Sequence, residues 1–270
     1  MLIEQLMASP LVKNEDLSFL KVVGVGGSGM TEDFEIRANK FFLKHNVKRK
    51  LTRGYGMTEN ASNATANINN ETAKIASVGI PAIHTVVSVF DTETGKEKTY
   101  NEIGEICIQS PQFMNGYWKQ PELEKQVFHT HNDGTVWLHS GDLGYMDEDG
   151  VVFIKGRMNN MLFLYHTAKI YPADMETSLS KVMGIKAVAV VGEPDKEHEG
   201  YFMPAFFVEP YEGYSREDII KNIEDQYLAN ETEDKRPQSI YVLDKIPLTN
   251  MGKPDLKLLE QMAKENSLRT

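Results

Sequence analysis

The chain has 270 residues, of which 41% are hydrophobic and 25% charged, the composition of an ordinary globular protein with length for one large domain or two smaller ones. A formal net charge of -10 leaves no basic face of the kind that neutralises phosphate backbones or anionic lipid, which disfavours nucleic acid and membrane surfaces as partners. Cys107 is the only cysteine, so an intrachain disulfide and a cysteine-rich zinc site are excluded and a reducing compartment is expected. The start MLIEQLMASP has no basic region followed by a long apolar run, and no later stretch approaches ~18 uninterrupted apolar residues, so no membrane span and a cytoplasmic location are expected.

Leu2, Ile3, Leu6 and Met7 have helical spacing, and the apolar run from Phe19 to Val25 reads as a strand entering Gly26, Gly27, Ser28 and Gly29. A helix is predicted from about Thr31 to His45. Strand, glycine turn and helix in that order predict an α/β layer with a site at the strand's carboxyl end. The polar run from Asn60 to Glu71 interrupts this pattern. From Ser77 to Lys155 the short apolar segments TVVSVFD, GEICIQS, TVWLHSGDLGYM and GVVFIKG alternate with turn signals, with Asp91 to Gly95 and Asp147 to Gly150 as hairpin turns. They predict an antiparallel sheet or small barrel.

After Arg157 the alternation of strand and helix returns and a second domain is expected. Met175, Leu179, Val182 and Met183 have helical spacing, and IKAVAVVGEPD and YFMPAFFVEP read as strands. Ser215 and Asp218 form a capping-box pattern before a helix with Ile219, Ile220, Ile223 and Tyr227 on one face, and a last helix contains Leu256, Leu259 and Met262. The expected fold class is mixed α/β and α+β. An α/β segment at about 1–76 and a β-rich segment at about 77–156 precede a small α+β domain at 157–270.

Several segments could carry chemistry. GVGGSG at Gly24 to Gly29 matches GxGxxG, but Glu32 and Asp33 would repel a pyrophosphate at the helix start and no acidic residue is placed for a ribose. A tight turn that lets strand and helix pack closely is the plainer reading. In RGYGMTEN, Tyr55 could flank a planar base, Thr58 could donate to a phosphate oxygen and Glu59 could hold a hard cation, against the plainer reading of a strand end with a polar turn. Asp142 lies between glycines in HSGDLG, a natural place for a carboxylate that accepts from two vicinal hydroxyls. The triplet Asp147, Glu148 and Asp149 lacks the spacing of a calcium loop. His129, His131 and His139 read as solvated histidines on a loop without further carboxylate or thiolate ligands. Arg157 stands at the expected domain junction, and Lys253 sits in the turn-rich segment KIPLTNMGKPD.

Taken together, GYGMTE, GEICIQSPQFMNGYW, HSGDLGYMDEDGVVFIKGR, YPADMETSLSKVMGIKAVAVVGEPD and PLTNMGKPD resemble, in order and approximate spacing, the adenylate-forming superfamily of acyl-CoA synthetases, luciferases and peptide-synthetase adenylation domains. The resemblance implies an enzyme that uses ATP and Mg2+ to activate a small carboxylic acid as its acyl-adenylate, and CoA or a carrier protein as acyl acceptor. It makes residues 1–156 the carboxy-terminal part of a large AMP-binding domain and 157–270 a mobile lid with Asn159 at the hinge. By the same resemblance Gly27, Ser28 and Gly29 line the adenine and acyl pocket, and Gly54, Tyr55, Gly56, Met57, Thr58 and Ile154 lie along the nucleotide. Glu59 binds the metal, Asp142 the ribose, Arg157 ribose and phosphate, and Lys253 bridges the attacking carboxylate and the α-phosphate. Thr58, Glu59 and Lys253 form the implied catalytic set.

Two departures stand out. The family's Ser/Thr/Gly-rich phosphate loop has no counterpart in this sequence, so the isolated chain is expected to be inactive and to need an amino-terminal half, one source of which would be a separate chain. His166 and Thr167 occupy the region where the family has a glycine beside the pantetheine passage, and a side chain there would narrow it. A non-catalytic nucleotide- or partner-binding remnant and, lowest, a dinucleotide oxidoreductase are the alternative readings.

Overall fold

The computed structural model describes residues 2–27, 30–165, 170–250 and 252–267. The chain forms two compact units, residues 1–158 and 159–270, against the sequence expectation of a boundary between 156 and 157. No helix among the described residues is long and apolar enough to cross a membrane.

In the first unit, α1 (Leu2–Ala8), β1 (Gly24–Val25) and α2 (Glu32–Lys44) precede β2 (Thr52–Tyr55). The Thr31 hydroxyl accepts from the Phe34 amide and caps α2, and Glu32, Asp33 and Glu35 complement the positive end of its dipole. Phe34, Ala38 and Phe42 on its inner face pack with Ile3, Leu17, Val47 and Leu51. This crossover makes β1 and β2 parallel. The strand expected over Phe19 to Val25 is reduced to Gly24–Val25. Its partner ladder starts only at Gly24 opposite Thr52, and the preceding segment runs as a turn with Phe19 68% and Val22 52% exposed. An apolar run with no neighbouring ladder does not become a strand.

β3 (Thr65–Ala66), β4 (Ser77–Pro81), β5 (Val86–Phe90) and β6 (Gly104–Gln109) follow, then α3 (Pro121–Val127), β7 (Phe128–Thr130), β8 (Val136–Met146) and β9 (Val152–Arg157). The strand order is β1-β2-β3-β4-β9-β8-β6-β5, with β7 also paired to β8. Over the β-rich segment β4 to β9 the ladders are antiparallel and, among the described residues, none joins β5 back to β4, which is the sheet alternative of the expectation and not a closed barrel. Val87, Val89, Ile106, Ile108, Leu138 and Val152 form the core of this β-rich part. Cys107 faces the other way, against Phe90 and Trp137, which buries β6 on both sides. Asp147 Oδ1 accepts from the amides of Asp149 and Val151 and closes the β8–β9 hairpin.

In the second unit, α4 (Pro172–Leu179), β10 (Ile185–Pro194), β11 (Phe202–Pro210), α5 (Arg216–Ile223), β12 (Ser239–Val242) and α6 (Leu256–Ser267) build a three-stranded sheet of order β10-β11-β12. One face, carrying Val190, Phe206 and Val208, packs on Met175, Leu179, Ile219, Ile223 and Tyr227. The other, with Ala189, Val191, Ala205 and Phe207, packs on Leu259 and Ala263 of α6. The Ser215–Asp218 capping box forms as expected, with Ser215 Oγ accepting from the Asp218 amide at 3.1 Å and Asp218 Oδ2 from the Ser215 amide at 2.9 Å. Helix α4, however, stops at Leu179. Val182 is buried from the following turn and Met183 is 55% exposed, so their helical spacing was fortuitous.

Candidate functional site

β2 ends on Tyr55, and the chain then makes a tight passage through Gly56. A Cβ on Gly56 would lie 1.9 Å from the Ser62 carbonyl oxygen, and one on Gly54 would lie 3.2 Å from that of Thr65, so the close return of the chain explains both glycines. A short helical turn follows at Thr58–Asn60, held by the Met57 amide donating to Asn60 Oδ1 at 3.0 Å. It leaves Thr58 exposed and Glu59 half-buried. The Tyr117 hydroxyl donates to the Glu59 carboxylate, and the Met114 amide donates to the Glu59 carbonyl at 2.9 Å. Loss of solvent and then this hydrogen bond push the Tyr117 phenol up to about 12. Among the described residues Glu59 forms no ion pair.

Asp142 is buried on β8, directly across the ladder from Arg157 on β9. Its two oxygens have different donors: the Tyr55 hydroxyl reaches Oδ2 at 2.6 Å and Arg157 Nε reaches Oδ1 at 2.8 Å. Arg157 Nη1 also donates to the Ser140 carbonyl at 3.1 Å. Burial, followed by the neighbouring Asp142 charge, raises the Tyr55 phenol far above its ordinary value, so Tyr55 is a fixed donor. The side chain of Ile154, on β9, packs partly buried against the β-rich core. Two segments, the end of β2 and the end of β9, thus converge on the carboxylate of β8.

The backbone at Asp142 is irregular. Glu105 pairs with Leu143 and Cys107 with His139, so one residue of β6, Ile106, faces Ser140, Gly141 and Asp142 of β8. Gly141 takes φ +69°. Ser140 Oγ donates to the Ile106 carbonyl at 2.6 Å and accepts from the Asp142 amide at 3.0 Å. The Gly141 amide donates to Glu105 Oε1 at 2.9 Å, and His139 Nδ1 lies 2.8 Å from Glu105 Oε2.

The expectation of solvated histidines on a bare loop is therefore wrong for His139, which stands in β8 beside a carboxylate and a thiol, and His129 is likewise a strand residue, on β7. Sequence distance hid Glu105 and Cys107, which reach His139 across the β6–β8 ladder. Burial works to raise the Glu105 carboxyl, but its bonds to His139 and Gly141 outweigh this and hold it below the usual value. A carboxylate only accepts, so His139 donates from Nδ1, and its Nε2 lies 3.0 Å from His131 Nε2. Donor atoms of Glu105, Cys107 and His139 lie within 4.8 Å of one another. The 2.8 Å contact nevertheless describes a hydrogen bond, since two ligands each ~2.0–2.1 Å from a tetrahedral ion stand about 3.3 Å apart. Burial also pushes the Cys107 thiol far up, away from the thiolate a metal needs.

Lys253 is exposed in a tight loop where Thr249 and Lys253 exchange backbone and hydroxyl bonds, with Gly252 at φ +75°. Among the described residues it forms no ion pair. Asn159 is exposed in the short helical turn Met158–Asn160, and Gly27 has φ +75° after β1. Ser28, Gly29, His166 and Thr167 lie outside the described residues. Glu105 and Tyr117 went unremarked in the sequence, although both stand in the segment GEICIQSPQFMNGYW. Glu105 is the only charged residue of that segment, and Tyr117 carried no distinguishing signal.

The fold is that of the adenylate-forming ligases. The profile of AMP-binding enzymes matches residues 1–118, and that of the AMP-binding enzyme C-terminal domain matches residues 174–253. A 4-coumarate–CoA ligase from Pinus taeda is 30% identical over 249 residues, covering 91% of this chain and 44% of its own length. 4-Coumarate–CoA ligase 1 of Glycine max is 31% identical over 252 residues, covering 91% of this chain and 81% of its own. Among solved structures, the ATP-bound RpMatB-BxBclM chimera B1 superposes with a TM-score of 0.85 at 25% identity, over 97% of this chain and 50% of the chimera. The chain belongs to the AMP-binding enzyme family of ATP-dependent, AMP-forming ligases, and it spans about half the length of the pine enzyme and of the chimera.

Proposed function

We propose that the chain forms the nucleotide-binding and lid portion of a carboxylate–CoA ligase that works through an acyl-adenylate. A carboxylate oxygen of the acid attacks the α-phosphorus of ATP, the bond to pyrophosphate breaks, and the sulfur of CoA then displaces AMP from the acyl carbon. In this reading Tyr55 packs on adenine, Asp142 accepts from both ribose hydroxyls, Arg157 donates to ribose and phosphate, and Thr58 donates to phosphate. Lys253 draws the two anions of the first step together and offsets the charge that develops at phosphorus. Gly27, Ser28, Gly29, Gly54, Gly56, Met57 and Ile154 shape the remaining walls.

Glu59 fits a magnesium ion brought with the triphosphate. It is an anionic oxygen donor that forms no ion pair among the described residues and is steadied by a neutral phenol. Such an ion would neutralise the departing pyrophosphate.

The observation that carries the reading is Asp142, a buried carboxylate whose bonds come from an aromatic ring and a guanidinium. Hydrogen bonds to a charged group contribute roughly 1.5–3 kcal/mol, so Asp142→Ala should weaken AMP binding about ten- to a hundredfold. Calorimetric titration of AMP beside thermal melting tests this. Lower thermal stability with unchanged AMP affinity would make Asp142 a strand-pairing residue only. Acceptor choice is read by supplying CoA or a carrier protein to an active enzyme that contains this chain.

A further inference from the structure

We propose that Glu105 is the positioning residue of the nucleotide site, setting through its ionised carboxylate the backbone bulge that presents Asp142. The proposal rests on the nucleotide reading given above.

The bulge places three residues of β8 opposite one of β6, so the ladder cannot satisfy all of the intervening polar groups. Ser140 supplies part of the repair within the bulge itself. The Gly141 amide has a partner only because Glu105, at the edge of the irregularity, turns Oε1 onto it at 2.9 Å while Oε2 holds His139 at 2.8 Å. One carboxylate therefore fixes the residues on either side of Ser140, and Gly141 supplies the left-handed turn at φ +69°. Both groups it holds are donors, so the ionised form suits the place and the protonated form does not. Without this anchor the Gly141 amide is left unpaired, and Asp142 loses the setting in which it faces Tyr55 and Arg157 together. Among the described residues Glu105 forms no hydrogen bond or ion pair with either of those residues, and it reaches Asp142 through the Gly141 amide.

The test uses the native chain, Glu105→Ala, Glu105→Gln and Asp142→Asn, read by calorimetric AMP titration well below the melting temperature and by the NMR amide resonance of Gly141. Glu105→Ala should lose about tenfold or more in AMP affinity and move the Gly141 amide proton upfield with faster exchange. Glu105→Gln keeps an oxygen for Gly141 and should recover most of the affinity, falling within about threefold to tenfold of native because the bond is no longer charge-assisted. If Glu105→Ala does not fold, Glu105→Gln carries the test: native affinity together with a native Gly141 resonance overturns the proposal. Asp142→Asn separates the two readings. Native AMP affinity in that variant overturns the nucleotide assignment. Weakened affinity there with native affinity in a folded Glu105→Ala overturns the positioning role alone.

Discussion

The Tyr55 hydroxyl donates to Asp142 Oδ2 at 2.6 Å, joining residues 87 positions apart and linking the end of β2 to the bulge in β8. Arg157 approaches the other oxygen from β9. The carboxylate thus sits where the α/β part of the first unit meets its β-rich part.

Tyr55→Phe should keep the ring and remove the donor. Asp142 then loses one of its hydrogen bonds, and stability in urea should fall by about 1–3 kcal/mol. In a cycle with Asp142→Asn the two losses should be coupled by about 0.5–3 kcal/mol, because the residues share one bond. Additive losses would show that the contact does not stabilise the fold.

Glu59→Gln, in the ligase reading, should raise the Mg2+ concentration needed for half-maximal acyl-adenylate formation about tenfold or more, since a neutral amide is a weaker ligand for a hard cation. Tyr117→Phe should shift the same midpoint by a smaller factor and leave turnover at saturating Mg2+ near native. Binding of Mn2+ to the enzyme–ATP complex, followed by electron paramagnetic resonance, checks both without relying on turnover. An unchanged midpoint in Glu59→Gln would remove it from the metal site.

Lys253→Ala, assayed in the ligase reading in an active enzyme that contains this chain, should slow acyl-adenylate formation by roughly two to three orders of magnitude, the scale of removing one donor to developing charge. Thioester formation from supplied acyl-adenylate should change little. Equal loss in both half-reactions would assign Lys253 a structural part.

Glu176 on α4 provides a pH-dependent test of the second unit. Its carboxyl is pushed up to about 7 by desolvation, which the bond from the Val190 amide only partly offsets. A carboxyl raised in the folded state contributes stability that is fully present below its unfolded value near 4.5 and is lost as pH rises through about 7. The chain should therefore lose about 2 kcal/mol between pH 5 and 8 from this group, allowing for its residual contact with solvent. Glu176→Gln keeps an acceptor for Val190 and should flatten that decline. Urea melts of both proteins at several pH values decide it, and parallel pH profiles would exclude Glu176 as the source.

Local chemistry made much of this protein legible in one dimension. The alternating segments of β5, β6, β8 and β9, the Asp147 turn and the Ser215–Asp218 capping box all follow from contacts within a few residues, and all are present. The ordered motifs carried family membership for the same reason: each is a short stretch whose spacing survives in the linear chain. Phe19 to Val25 looked equally apolar, yet strand formation there depended on a partner, and β2 offers its ladder only from Thr52 onward. The open sheet path likewise depends on which strands meet, which no single segment encodes.

The site divides in the same way. Tyr55, Glu59, Asp142, Arg157 and Lys253 could be singled out because their residue types and local turns suit nucleotide chemistry. What holds them could not. Tyr117 reaches Glu59 across 58 positions, and Glu105 reaches Gly141 across 36. Sequence by itself determined the strands, caps, turns and candidate chemical groups, because those depend on neighbours along the chain. Only the tertiary structure decided that Tyr55 and Arg157 share one carboxylate, that His139 faces a carboxylate and a thiol, and that a glutamate on β6 holds an amide of the bulge on β8, because hydrogen-bond partners are chosen by strand register and not by separation in sequence.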